Sequence, residues 1–69
     1  MTDEQILNHF YVLGIMAFER GKVKSASDDT SFREFYNVTV KGKSQKMRFD
    51  AFDNWYSGYS EAERNANNG

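Results

Sequence analysis

Residues 49–62, Phe-Asp-Ala-Phe-Asp-Asn-Trp-Tyr-Ser-Gly-Tyr-Ser-Glu-Ala, hold the only Trp, two of the four Tyr and two of the six Phe. Wound as a helix, this stretch places Phe52, Trp55, Tyr56 and Tyr59 on one face at i, i+3, i+4 and i+7. A face of that size must be buried, and it sets what the rest of the chain has to supply. With 69 residues and no Cys, one small core has to form without disulfides. Such a chain buries only roughly 60% of its unfolded surface, so its stability leans on aromatic packing or on a partner. One His and no Cys also leave no zinc site of the usual kind, and no metal or cofactor is expected.

The N-terminal stretch reads as a helix over about residues 3–20. Thr2-Asp3-Glu4-Gln5 fits a capping box, Asp3 and Glu4 suit the positive helix end, and Gly21 suits the position after the helix. Ile6, Phe10, Leu13 and Ala17 form one apolar stripe, with Leu7, Tyr11, Gly14 and Phe18 beside it. Ile15 extends the apolar surface round the helix. Gly14 inside a helix costs about 0.8–1 kcal/mol against Ala, so close approach of another element is expected there. Tyr11, Gly14, Ile15 and Phe18 are candidates for an oligomer interface.

Residues 22–30 are polar and read as a loop in which Asp28 and Asp29 serve turn chemistry. Ser31-Phe32-Arg33-Glu34 fits a second capping box and so a short helical turn. Over 35–50, Tyr36, Val38 and Val40 alternate with Asn37, Thr39 and Lys41, and Met47 and Phe49 alternate with Lys46, Arg48 and Asp50. This period of two predicts a β-hairpin turning at Lys41-Gly42-Lys43-Ser44. The last helix is expected from about residue 51 to 64 or 65, capped by Asp50 or Asp53, with 65–69 a frayed tail. The predicted fold is α+β, one domain of order α-β-β-α, with two packed helices covering the hairpin. Its core is expected to include Phe10, Leu13, Ala17, Phe49, Phe52, Trp55 and Tyr59.

The formal net charge is −1, but it is distributed in blocks. Residues 1–19 carry Asp3, Glu4 and Glu19 and no base. Residues 20–48 carry eight Lys and Arg against Asp28, Asp29 and Glu34. Residues 49–69 carry four acids against Arg64. Within the basic block, Lys41, Lys43, Lys46 and Arg48, with Tyr36 nearby, form a candidate partner-binding patch. Phosphate contact is one use of it; lysines guarding a strand edge are the other.

Nothing in the chain has the pattern of a catalytic site. The single His9 stands on the first helix without a nucleophile beside it, and Gly21-Lys22 and Lys41-Gly42-Lys43 lack the spacing of a phosphate loop. The reading is non-enzymatic. No stretch approaches the roughly 20 apolar residues of a membrane span, and the start is acidic, so a cytoplasmic protein is expected.

Two fragments add a resemblance. Gly14-Ile-Met-Ala17-Phe-Glu-Arg-Gly21 is similar to the G-x-x-A-x-x-x-G helix end of the ribosome modulation factor family and of related small modules in phage and prophage proteins. Trp55-Tyr-Ser-Gly58-Tyr59-Ser-Glu61-Ala62 resembles that family's W-x-x-G-[WY]-x-E-A helix. The resemblance implies close packing at Gly14, Ala17 and Gly21 against a face made by Trp55, Gly58, Tyr59 and Ala62. The family's short Cys-Pro-Tyr connection is replaced here by residues 22–50.

Together these features predict a small binding protein. The resemblance implies a phage or mobile-element accessory protein, and with it an anti-defence role is expected: inhibition of a host defence or nucleic-acid-processing protein by stoichiometric binding. The alternative is a ribosome- or nucleic-acid-associated regulator using the basic hairpin. A third reading is a homodimer whose surplus apolar helix surface is its own interface.

Overall fold

A computed structural model describes residues 1–68. Among these residues three α-helices make up the fold: α1, Asp3–Glu19; α2, Thr30–Thr39; and α3, Gln45–Asn68. A single 3-10 turn, Ala26–Asp28, precedes α2. Among the described residues there is no strand. The expected α+β class and the hairpin over 35–50 are therefore corrected to an all-helical bundle.

The reason lies in two caps and a longer period. The Asp29 side chain accepts from the Ser31 N–H at 3.0 Å and starts α2. From there Phe32, Phe35, Tyr36 and Thr39 recur at i, i+3, i+4 and i+7, the helical spacing. Phe32 is buried and the other three are half-buried. The apparent alternation of Tyr36, Val38 and Val40 is incidental, since Val38 is 79% exposed while Val40 is fully buried.

Ser44 supplies the next cap. Its hydroxyl accepts from the Met47 N–H at 3.2 Å and its carbonyl from the Arg48 N–H at 3.1 Å. Met47, Ala51, Trp55 and Tyr59 then fall four residues apart, all buried on one face of α3. The last helix thus starts six residues before the expected position and absorbs the whole second strand of the supposed hairpin. It continues through Asn65–Asn68, where a frayed tail was expected. Gly69 lies outside the described residues.

Thr2 and Gln5 form the reciprocal capping box of α1, at 3.1 and 2.8 Å. Gly21, with φ of 72°, takes the left-handed conformation just past the end of α1. Asp3, at the start of α1, pairs with Lys43, just before α3. Gly14 meets Trp55 and Tyr59 at mid-helix, and Phe18 packs edge-on against Tyr59 further along. Helices α1 and α3 therefore run parallel, and α2 returns between their ends. The molecule is 38 Å long, close to the roughly 36 Å that α3 alone spans at 1.5 Å per residue.

The crossing of α1 and α3 is built from two glycines. A methyl group on Gly14 would overlap the Trp55 carbonyl and stand 2.9 Å from the Tyr59 nitrogen. A methyl group on Gly58 would overlap the Tyr11 carbonyl and stand 3.2 Å from its Cα. Backbone meets backbone from both sides, which only glycine permits. The helical penalty of each Gly is offset by this contact.

Around the crossing lies a continuous aromatic core. Phe10 packs on Phe32 and Phe35 with ring centroids 5.1 and 5.0 Å apart. Phe32 reaches Phe52 at 4.7 Å, and Trp55 stacks on Tyr59 at 5.4 Å. Trp55, Phe10 and Val40 are the largest fully buried side chains.

Candidate functional site

The aromatic face of α3 is apolar in body and polar at its tips, and the tips decide where the α1–α2 connection lies. The Trp55 indole N–H donates to Asp29 at 2.9 Å, through the carboxylate oxygen not used in capping α2. The Tyr59 hydroxyl donates to the Lys22 carbonyl at 2.6 Å. The Tyr56 hydroxyl accepts from the Ala26 N–H at 3.2 Å. Three aromatic residues on one helix thus hold residues 22–29, and Ala26 is buried beneath them. Asp29 is a cap and an indole acceptor, a role beyond the turn chemistry read from sequence.

The proposed basic patch does not stay together. Lys41 and Lys43 lie exposed in the α2–α3 connection, while Lys46 and Arg48 are on α3, two residues and so about 200° apart. Lys43 pairs with Asp3 at 3.2 Å and Lys46 with Asp50 at 2.7 Å. The hydrogen bond and charge of Asp50 raise the Lys46 ammonium above its ordinary value. Arg48 is half-buried, and its Nε is enclosed without a hydrogen-bond partner among the described residues. Tyr36 is half-buried against Phe32 and Phe52, at 5.6 and 5.7 Å.

The block distribution of charge has an internal explanation. Asp3–Lys43 joins the acidic N-terminal block to the basic one, and Lys24–Glu63 at 3.3 Å joins the basic block to the acidic C-terminal one. Between the end of α1 and the start of α2, a cavity of about 220 Å³ brings Arg20 and Lys22 together with Asp28 and Asp29. Neither sign dominates there.

The candidate oligomer residues also divide. Gly14 is buried in the α1–α3 crossing and unavailable to another chain. Tyr11, Ile15 and Phe18 are half-buried, Phe18 edge-on to Tyr59 at 5.4 Å. Of the expected core, Phe10, Leu13, Ala17, Trp55 and Tyr59 are buried and Phe52 is half-buried. Phe49 is corrected: with α3 beginning at Gln45, it turns away from the buried face and is 58% exposed.

That correction reveals a surface feature. Phe49, Phe52 and Tyr56 stand at i, i+3 and i+7 along α3, with Tyr36 of α2 against Phe52. They form a row of partly exposed aromatic side chains, flanked on α3 by Asp53 and the Lys46–Asp50 pair. The signal was present as a second helical stripe, adjacent to the buried one. Among the described residues no cluster of His, Asp or Glu has the grouping needed to hold a metal ion. No helix there is long and apolar enough to cross a membrane. Comparison of the chain with family models, curated proteins and solved structures finds no match. The resemblance at residues 14–21 and 55–62 rests on those residues alone.

Proposed function

We propose that the protein is a non-enzymatic binding protein that acts by occupying a surface of another protein, in the manner of a phage or mobile-element inhibitor of a host complex. The observation that carries this reading is the aromatic row Phe49, Phe52, Tyr56 and Tyr36. Aromatic side chains supply large contact area at low entropic cost and are enriched where binding energy concentrates. Phe49, at 58% exposure, is not needed by the core. The flanking charges are mixed in sign, which suits a protein surface more than a phosphate backbone.

The test is capture from bacterial lysate with tagged protein, with nuclease treatment, at low and moderate salt. A protein retained through both treatments by the wild type and lost by Phe49→Asp supports the reading. Capture that disappears with nuclease, or falls steeply with salt, favours the nucleic-acid-associated regulator. Capture unaffected by Phe49→Asp removes the aromatic row as the contact.

A further inference from the structure

A second surface lies at the far end of the bundle. Beyond the crossing at Gly14 and Gly58 the parallel helices α1 and α3 leave a groove of about 400 Å³. Ile15 and Phe18 form its α1 wall, and Ala62 and Ala66 line its α3 side. The alanines, one helical turn apart, leave room for side chains from elsewhere. This is the part of α1 whose apolar surface exceeds what α2 and α3 cover: Ile15 is only half-buried.

The charge at the rim is acidic. Glu19 and Glu61 border the groove. Glu19 makes no ion pair among the described residues, whereas Glu61 pairs with Arg64, one turn along α3. Because α1 and α3 are parallel, their negative dipole ends lie at this same end of the molecule, and neither helix has a basic residue in its last turn. Arg20, the base that follows α1, lines the cavity shared with Asp28 and the start of α2.

We propose that this groove receives a basic amphipathic helix of a partner protein, its apolar side chains entering between Ile15, Phe18, Ala62 and Ala66 and its Lys or Arg meeting Glu19 and Glu61. The proposal rests on the binding-protein reading but uses a face separate from the aromatic row. Helix-in-groove recognition of this kind takes its affinity from the apolar anchors and its orientation from the rim charges.

The test uses a short synthetic amphipathic helix of Leu and Lys, with a counterpart carrying Glu for every Lys, titrated into 15N-labelled protein. The expected result is saturable amide shifts centred on Ile15, Phe18, Ala62 and Ala66, absent with the Glu peptide. Glu19→Lys should weaken binding about fivefold, the scale of one exposed ion pair, and Ala66→Trp should abolish it by filling the groove. Both sites are exposed, so the fold should persist. Absence of saturable binding, equal binding of the Glu peptide, or shifts centred on Phe49 and Tyr56 would each overturn the proposal. So would groove shifts that follow the protein's own concentration without peptide, which would make the occupant a second copy. Lysate capture lost with Phe49→Asp tests the aromatic row alone, so the two readings fail separately.

Discussion

The indole nitrogen of Trp55 donates to the Asp29 carboxylate at 2.9 Å, while the other carboxylate oxygen caps α2 by accepting from Ser31. One side chain therefore starts a helix and fixes the central core residue of another. Asp29→Ala removes both bonds and leaves the buried indole N–H of Trp55 without its acceptor. The expected cost is about 2–4 kcal/mol, one cap plus one unsatisfied donor. Asp29→Asn, which keeps an acceptor oxygen, should cost less. Urea unfolding of the three proteins checks the order.

Gly14→Ala and Gly58→Ala should each destabilise by about 3 kcal/mol or more, because the new methyl group meets rigid backbone rather than a movable side chain. Gly42→Ala is the control. Nothing lies within 4 Å of a methyl group there, and the thermal midpoint should barely move.

Phe49 and Trp55 are both large aromatic residues of α3 that sequence reading assigns to the core, and they should respond oppositely to truncation. Trp55 is fully buried, and Trp55→Ala should cost about 3–5 kcal/mol, enough to unfold a domain of this size. Phe49→Ala should stay within about 0.5 kcal/mol of the wild type. Denaturant midpoints measured side by side decide it.

These contrasts show which parts of the fold were legible. The α1 cap at Thr2–Gln5, the Ile6–Ala17 stripe and the aromatic face of α3 each carried a helical signal of their own. The middle of the chain did not. Val38, Thr39 and Val40 are β-branched, and Tyr36, Val38 and Val40 alternate with polar Asn37, Thr39 and Lys41, so propensity and local pattern both pointed to a strand. The opposing signal was the caps Asp29 and Ser44 and the run Met47, Ala51, Trp55, which extends the α3 period back across the supposed strand. Tertiary burial of Val40 and Met47 on the α1–α3 core then overrides the local preference. The split of the basic patch follows directly, since residues that share a strand face lie about 200° apart on a helix.

The Lys46–Asp50 pair gives a pH dependence of known sign. Its raised value means that the folded state holds the Lys46 proton more tightly than the unfolded chain does. The contribution is complete below the ordinary lysine value of 10.5 and is lost as pH rises through the raised one. Lys46→Gln should therefore be slightly less stable than wild type at neutral pH, and the gap should close at strongly alkaline pH. Because Lys46 is exposed, the gap should also shrink in high salt. Unfolding curves across that pH range provide the check.

The most direct test of the bundle is nuclear Overhauser spectroscopy of the labelled protein at the α1–α3 crossing. A parallel crossing through two glycines predicts contacts from a Gly14 Hα to the Tyr59 amide proton and from a Gly58 Hα to the Tyr11 Hα. It also predicts helical carbon shifts over residues 30–39 and 45–50. Strand-like shifts over residues 35–50, with cross-strand contacts about Lys41–Ser44 and no Gly14–Tyr59 contact, would contradict it.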